Sequence, residues 1–243
     1  MAGETAAAKK RAARPRDAAT LILTRGAGAG AALLMGRRHE GHRFMPGQWV
    51  FPGGRVDRGD AYIRPASPLR PEIARRLAIG CSARRADAVA LASIRETFEE
   101  TGLRVGRRVA GDLPRAPSAA WAAFLETGIV PALDMLDYVA RAITPPYRPM
   151  RFHARFFMAD AAHALGEAMP SAELVELKWV PIEEARAGSI CRASPPLCSM
   201  RSPPVSAPPI RTGRRPSIAT GTANRWWRTT DRRCPCSYPL PPA

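Results

Sequence analysis

The sequence contains no hydrophobic run long enough to cross a membrane as a helix. Such a helix needs about 20 consecutive apolar residues, whereas the apolar runs here, such as residues 18–23, have the length of a strand. The N-terminal residues also lack the hydrophobic segment of a secretory signal. Their alanine and arginine content is typical of organellar transit peptides too, but a short disordered arm is the simpler interpretation. We therefore expect a cytoplasmic protein with no membrane partner.

Cysteine is scarce and irregularly spaced. The five cysteines are an odd number, unlike the paired cysteines of secreted disulfide scaffolds. Cys234 and Cys236 are close together, but no second pair of cysteine or histidine residues lies at the spacing of a zinc site. The sequence therefore predicts free thiols in a reducing compartment.

Acidic residues are also few, since 21 aspartates and glutamates face 37 lysines and arginines and leave a net charge of +16. Changes of composition along the chain predict three regions. Residues 1–18 form a disordered basic arm, residues 19–188 a folded domain, and residues 189–243 a disordered tail rich in proline, arginine and serine. The tail holds 11 of the 25 prolines and no lysine or glutamate. Such a composition cannot bury enough apolar surface to offset the loss of chain entropy.

Two interpretations of the tail remain open. In the first, it is a basic arm for nucleic acid, with Trp226 and Trp227 available to stack on bases. In the second, it results from a shifted reading frame at the 3′ end of the gene. The second interpretation is favoured because the change of composition is abrupt and follows directly on a well-formed strand and turn.

Apolar runs and turn residues predict a mixture of strands and helices within the folded domain. One helix is predicted over residues 87–101, and another begins at Pro181, since proline is tolerated in a first helical turn. Strands and helices do not alternate strictly, so we expect an α/β or α+β fold with a mixed sheet. The predicted strands are residues 18–24, 31–36, 49–51, 152–159 and 176–180.

The predicted helix over residues 87–101 has an acidic face and an apolar face. Glu96, Glu99 and Glu100 follow one another at the spacing that places side chains on one face of a helix. Gly102 follows where the helix has to end, because glycine accepts the left-handed conformation of a helix C-terminus. The apolar stripe consists of Leu91, Ile94 and Phe98.

The position of these glutamates is unfavourable for stability. The C-terminal end of a helix carries the negative end of its dipole, and the like charges of Glu96 and Glu100 repel each other one turn apart. Each effect is worth a few tenths of a kcal/mol up to about 1. Converging carboxylates are what an oxygen-ligated divalent cation requires. A solvated charged face is the alternative, and it would explain the glutamates but not the segment before them.

That segment contains Gly53 and Gly54 directly after a short strand, in the sequence FPGG. Adjacent glycines let the backbone turn sharply and approach a ligand closely. Together, turn and helix resemble the Nudix box, G-x5-E-x7-R-E-U-x-E-E-x-G-U, in which U is a bulky aliphatic residue. Gly54 takes the place of the opening glycine, and Asp60 that of the first glutamate. The closing half is matched by Arg95, Glu96, Glu99, Glu100, Gly102 and Leu103.

The sequence departs from the Nudix box in three ways. Asp60 is one methylene shorter than glutamate, and Thr97 replaces the aliphatic residue of the closing half. Between Asp60 and Arg95 lie 34 residues instead of 7, which implies an insertion of 27 residues at about 61–86. The insertion is similar to that of a Nudix branch that includes coenzyme A diphosphatase-like proteins, and residues 144–157 resemble a strand segment of that branch.

The resemblance implies an α/β/α sandwich with a mixed sheet and the hydrolysis of a nucleoside diphosphate linked to another moiety, X. The substrate would be of the nucleotide-sugar, dinucleotide or coenzyme A type. Glu99 and Glu100 would be the principal ligands of Mg²⁺ or Mn²⁺, and Glu96 a further ligand or the base that orients water. Arg95 would hold the glutamates in place, and the Gly53 carbonyl would add a ligand.

Other residues have weaker claims to a role. Arg37, followed by Arg38 and His39, would reach the substrate phosphates, although a solvated basic turn is an equal alternative. We expect Glu173 and Glu176 to be solvent-exposed, with a distal base as the alternative role for one of them, and His153 to be a non-catalytic histidine within a strand. A rival function is a non-catalytic Nudix-like module that binds nucleic acid through its basic arms.

Overall fold

The computed structural model describes residues 13–42, 45–79, 81–148 and 150–186. Within these ranges the chain forms ten strands and four α-helices. The strands are β1 (Arg16–Arg25), β2 (Ala32–Arg38), β3 (Trp49–Val50), β4 (Gly53–Arg55), β5 (Arg104–Arg108), β6 (Ile129–Pro131), β7 (Asp137–Ile143), β8 (Phe152–Asp160), β9 (Ala164–Leu165) and β10 (Leu174–Pro181). The helices are α1 (Pro71–Leu77), α2 (Ala83–Thr101), α3 (Ala119–Leu125) and α4 (Ile182–Arg186).

The main sheet has the strand order β10-β2-β1-β8-β7, with β3 beside β2 and β4 beside β1. β1 and β8 run parallel, whereas the other neighbouring pairs of this sheet are antiparallel. The predicted mixed sheet is therefore confirmed. Three short strands in the order β6-β5-β9 form a second, antiparallel arrangement.

Strand β1 is buried on both faces, which explains its nearly continuous apolar sequence. Leu21 and Leu23 enter the main core, which also contains the apolar residues of α2. Ile22, on the other face, belongs to a smaller cluster with Met35 and Val180. Ile182 and Ala185 of α4 pack against this cluster. The sheet therefore separates two apolar layers, and α2 lies in the larger one.

Helix α2 is longer than predicted and begins at Ala83 instead of residue 87. Its start is fixed by Ser82, whose side chain accepts a hydrogen bond from the Arg85 backbone N–H, as is typical of a helix N-cap. The helix ends at Gly102, whose φ is +75°. Of the predicted apolar stripe, Leu91 and Ile94 are buried and Phe98 packs against the core from a partly buried position.

The predicted insertion at about 61–86 packs into the main core. Ile63, Leu69, Ile73 and Leu77 are all buried there, the last two on α1. The insertion therefore contributes a short helix, the first turn of α2 and apolar contacts beneath the box.

Two predicted boundaries are wrong by a few residues. β1 begins at Arg16, because Arg16 already pairs with Phe152 of the parallel strand β8, so residues 16–18 belong to the sheet and not to the basic arm. Pro181 ends β10 instead of opening a helix, and the N–H of Ile182 donates to the Ala31 carbonyl. Residues 13–15 of the arm have no regular secondary structure, while residues 1–12 and the tail from residue 189 lie outside the described residues.

Two findings concern the predicted environment of the chain. Across residues 13–42, 45–79, 81–148 and 150–186, no helix is both long and apolar enough to span a bilayer. Cys81, which lies within these ranges, is a free and half-buried thiol. The other predicted free thiols fall outside them.

Candidate active site

Both glycines of the FPGG segment lie in close contact with neighbouring atoms, Gly53 with backbone and Gly54 with a side chain. A Cβ on Gly53 would lie 2.4 Å from the Ala19 carbonyl oxygen of β1, a distance that real Cβ atoms do not reach. A Cβ on Gly54 would lie 2.4 Å from Oε2 of Glu96. The turn therefore presses its backbone against β1 on one side and against a glutamate of α2 on the other.

Glu100 is held under this turn. Its side chain is buried, with 3% of the residue exposed, and its Oε2 accepts a hydrogen bond of 2.9 Å from the Gly53 N–H. Burial raises the pKa of Glu100 to about 8, because the Gly53 N–H only partly offsets desolvation and the charge of Glu96 adds to it. The donors and positive charges around the ionised carboxylate of Glu100 therefore do not compensate for its burial.

Glu96 lies beside Glu100 and is also largely buried, with 16% of its side chain exposed. Burial raises its pKa to about 7; the charge of Arg95 lowers it, and that of Glu99 raises it further. Nη1 of Arg95 lies 3.0 Å from Oε1 of Glu96. Glu96 has the Arg95 guanidinium beside it, whereas Glu100 has the Gly53 N–H as its hydrogen-bond donor. Two neighbouring, largely buried carboxylates with so few donors are an electrostatic environment that an added cation would stabilise.

Arg95 is braced by Asp60 across the whole insertion. Nε of Arg95 donates to Oδ1 of Asp60 at 2.8 Å and Nη2 to Oδ2 at 3.1 Å. The Asp60 side chain is fully buried, and it also accepts from the Trp121 indole at 3.0 Å and from the Asp57 N–H at 2.8 Å. The insertion therefore does not separate the two halves of the box.

The charge of Arg95 is stabilised by this network. Burial disfavours the guanidinium, but the hydrogen bond to Asp60 and the charges of Glu96 and Asp60 outweigh it and raise the pKa of Arg95. Nη2 of Arg95 also donates to the Arg55 carbonyl at 2.8 Å. The guanidinium thus connects the turn, the insertion and α2.

Glu99 is the most exposed of the three glutamates, with 41% of its side chain accessible. It forms an ion pair with Nη1 of Arg95, the atom that also contacts Glu96. In the part of the chain that the structure describes, no three histidine, cysteine, aspartate or glutamate side chains are arranged to hold a metal ion. The three glutamates share a face of α2 as predicted, and Nη1 of Arg95 contacts both Glu96 and Glu99.

The glutamates and Arg95 line a cavity of about 320 Å³. Its opposite wall is formed by Ser171, Ala172 and Glu173. Glu173 is exposed, with 63% of its side chain accessible, and yet it faces the cavity, where its charge contributes to the raised pKa values of Glu96 and Glu100. The predicted exposure of Glu173 is confirmed, and the loop before β10 brings this exposed residue to the cavity, where the alternative role of a distal base would require it.

The two arginines at the end of β2 have different surroundings. Arg37, the predicted phosphate ligand, donates to Glu176 at 3.1 Å and to Glu40 at 3.3 Å. Successive side chains of a strand point to opposite faces, and it is the charge of Arg38 that lowers the pKa of Glu100. Nε of Arg38 is buried without a hydrogen-bond partner. The charge of Arg38 therefore acts on Glu100, whereas Arg37 pairs with Glu176 and Glu40.

The histidines considered from sequence have local partners. Nδ1 of His39 accepts from the Gly41 N–H at 3.0 Å, within the turn after β2. His153 faces Asp17 of β1, with 3.8 Å between Nδ1 and Oδ1, and burial lowers its pKa. Neither residue lines the glutamate cavity.

Thr97, which departs from the aliphatic residue of the box, is fully buried. Its hydroxyl donates to the Ser93 carbonyl at 2.8 Å, so it needs no partner outside the helix. Thr101 donates in the same way to the Thr97 carbonyl at 2.6 Å. The polar substitution is therefore accommodated by the backbone of α2 itself.

Comparisons with known proteins give a consistent result. No family model matches the chain. A solved structure of a NUDIX hydrolase from Alicyclobacillus acidocaldarius is 33% identical, with a TM-score of 0.53 over 72% of this chain and 82% of that one. "Putative nudix hydrolase 7" of Caenorhabditis elegans is 26% identical over 194 residues, and the match spans 74% of this chain but only 57% of that protein's length. From the first of these similarities, and from the box geometry, the chain belongs to the Nudix hydrolase family.

Proposed function

We propose that this protein is a metal-dependent hydrolase that cleaves the diphosphate linkage of a nucleoside diphosphate joined to another moiety, X. The observation that carries the proposal is the pair of buried carboxylates, Glu96 and Glu100, held against the Gly53-Gly54 turn and next to a braced arginine. A helix selected for stability alone would not bury two carboxylates whose pKa values burial raises.

The residues fit a hard divalent cation by their donor chemistry. Carboxylate oxygens are the ligands that Mg²⁺ and Mn²⁺ prefer, and Glu96 and Glu100 lie in a cavity without enough positive charge to balance them. Glu99 completes the proposed ligand set once it leaves its ion pair with Arg95. The Gly53 carbonyl is a further proposed ligand. When bound, Mg²⁺ or Mn²⁺ neutralises charge that develops on the diphosphate oxygens.

The side chains have separate proposed roles in this reaction. Glu96 accepts a proton from the attacking water or orients it, while Arg95, itself held by Asp60, acts as a positioning residue that keeps Glu96 in place. Arg38, whose charge already acts on Glu100, stabilises the charge of a bound substrate phosphate. Phosphoryl transfer depends mainly on positioning and charge stabilisation, so no nucleophilic side chain is required.

The substrate that we propose is of the nucleotide-sugar, dinucleotide or coenzyme A type. Within this group, the insertion between Asp60 and Arg95 and the segment at residues 144–157 favour the coenzyme A diphosphatase-like branch. The volume of the cavity, about 320 Å³, lies at the lower end of the range for small-molecule sites. This volume suits a diphosphate and the groups next to it.

The test is a turnover assay of the purified protein with coenzyme A, ADP-ribose, NADH and capped RNA, each with and without Mg²⁺. We expect release of a nucleoside monophosphate, or of the corresponding adenosine phosphate from coenzyme A, only with the metal. Glu99→Gln is expected to lower kcat by at least about 100-fold, whereas Glu126→Gln, on an exposed residue at the end of α3, keeps full activity.

Equal activity in the Glu99→Gln variant would remove the assignment of the site. Absence of turnover on every substrate, together with salt-sensitive binding of nucleic acid that survives Glu99→Gln, would instead favour the rival function of a non-catalytic module. Most of the basic arms on which that rival depends, residues 1–12 and 189–243, lies outside the described residues.

A further inference from the structure

A second cavity lies on the other side of the segment that follows the glycine turn. Its volume is about 1100 Å³, and no residue that lines it also lines the glutamate cavity. Its walls come from the start of β1, the segment after β4 and the first turn of α2. We call this cavity the arginine cleft, because its lining includes Arg16, Arg55, Arg58, Arg84 and Arg85.

The two carboxylates in the arginine cleft are already engaged. Asp17 forms ion pairs with Arg85 and with the buried Arg155 of β8, the latter at 2.9 Å. Asp57 accepts a backbone hydrogen bond as the cap of the 3-10 helix Arg58–Ala61, and its Oδ2 lies 3.9 Å from Nη2 of Arg95. Neither carboxylate balances the remaining arginines.

Four arginines of the cleft therefore carry uncompensated charge. Among the described residues, no carboxylate lies within ion-pair distance of Arg16, Arg55, Arg58 or Arg84. Like charges gathered around one concave surface raise the local potential and attract anions. Arginine presents its donors in a fork that matches phosphate oxygens, so a phosphate-bearing anion fits this surface better than a single carboxylate does.

An exposed aromatic ring borders the cleft. Tyr62 follows Ala61, which lines the cleft, and 68% of Tyr62 is exposed. The guanidinium of Arg84 lies 4.7 Å from the centroid of its ring. Basic side chains beside an exposed ring are the combination that binds phosphate and base of a nucleotide together.

We propose that the arginine cleft is a second ligand site, separate from the glutamate cavity, that binds the chain of phosphates of a nucleotide ligand. Such phosphates occur both in free nucleoside polyphosphates and in single-stranded RNA. The arginines contact successive phosphate groups, and Tyr62 contacts a base. The site does not depend on hydrolysis or on a metal at the glutamates.

The test uses the full-length chain in EDTA, so that metal-dependent turnover does not consume the ligand. The probe is a fluorescein-labelled oligouridine of ten nucleotides, followed by fluorescence anisotropy, with ATP and inorganic tripolyphosphate as competitors. The variant Arg58→Ala/Arg84→Ala is compared with Arg108→Ala/Arg115→Ala, which removes the same charge from exposed positions outside the cleft. Arg16→Ala/Arg55→Ala removes two arginines from the other walls without touching Tyr62.

We expect both cleft variants to raise Kd roughly tenfold, since each loses two exposed charge contacts to the phosphates, while the control pair changes Kd by less than twofold. The slope of log Kd against log salt concentration is expected to fall by about 1.4 in each cleft variant for the loss of two contacts to a single strand. Displacement by tripolyphosphate and ATP identifies free polyphosphates as sufficient ligands, whereas resistance to both identifies the RNA strand. Equal weakening in cleft and control variants, or none in the cleft variants, would overturn the proposal.

Discussion

The two ends of helix α2 carry opposite charges, and both are reversed with respect to the helix dipole. The first turn contains Arg84 and Arg85 and no acidic residue, whereas the last turn contains Glu99 and Glu100 and no basic one. The dipole favours anions at the start of a helix and cations at its end. Neither charge pattern therefore improves the stability of α2, which indicates that both ends serve contacts outside the helix.

The ends differ in how the protein supports them. At the acidic end, Glu100 is buried, Glu96 is largely buried, and Arg95 is fixed by the fully buried Asp60. At the basic end, the side chains are exposed, and the arginines of the cleft are mostly without ion-pair partners. Buried, braced groups suit chemistry that needs fixed positions, whereas exposed arginines suit the looser recognition of a phosphate chain.

The largest expected effect comes from removing the brace of the acidic end. Asp60→Ala leaves the guanidinium of Arg95 buried without its bidentate partner and the Trp121 indole without an acceptor. Breaking a buried ion pair by removing one partner costs about 3–5 kcal/mol, so we expect a loss of that size in the free energy of unfolding in urea. Asp112→Ala, at an exposed loop position, is the control. A loss below about 1 kcal/mol for Asp60→Ala would contradict the brace.

A second prediction concerns the pH dependence of the acidic end without metal. The pKa of Glu100 is raised to about 8 and that of Glu96 to about 7 in the folded protein, so between about pH 5 and 8 the folded state binds more protons than the unfolded one. Stability therefore falls as pH rises through this window, by an amount on the order of 6 kcal/mol, because the two groups together hold their protons over more than four pKa units and each unit corresponds to about 1.4 kcal/mol.

The measurement is urea unfolding in EDTA at pH 5, 6, 7 and 8. Glu100→Gln is expected to remove most of the slope, because a neutral amide replaces the buried carboxylate under the Gly53 N–H. Added Mg²⁺ is expected to stabilise the wild-type protein more at pH 8 than at pH 5. A flat stability profile for the wild type in EDTA would show that the two carboxylates are not desolvated in solution.

A third prediction tests how closely the turn and the acidic end fit. Gly54→Ala places a methyl group 2.4 Å from Oε2 of Glu96 and so displaces that carboxylate. We expect kcat to fall about 100-fold, since small misplacements of catalytic groups have effects of this size, with a smaller loss of stability. Gly30→Ala is the matched control, because a Cβ there meets nothing within 4 Å. Unchanged turnover in Gly54→Ala would exclude Glu96 from the reaction.

Local patterns predicted much of the acidic end and almost none of the basic one. The spacing of Glu96, Glu99 and Glu100 and the terminating glycine are properties of a single helix. The FPGG turn is likewise formed by residues that are adjacent in sequence. Glu173 and the indole of Trp121 reach the site from distant segments, which no local period encodes. β5, with the sequence RVGRR, lacks an apolar alternation and is a strand because β6 and β9 pair with it.

The smallest expected effect concerns the packed face of α2, between its two charged ends. Thr97→Val replaces a buried hydroxyl, which donates to the Ser93 carbonyl, by a methyl group of similar shape. Because a satisfied hydrogen bond is exchanged for apolar contact, we expect the free energy of unfolding to change by less than about 1 kcal/mol and kcat by less than twofold. Thr97→Ser, which keeps the hydroxyl but loses a buried methyl group, is expected to cost about 1 kcal/mol. A Thr97→Val variant with unchanged stability in urea but a kcat reduced more than tenfold would show that the packed face takes part in the function of the acidic face. The division of α2 into separate faces would then be wrong.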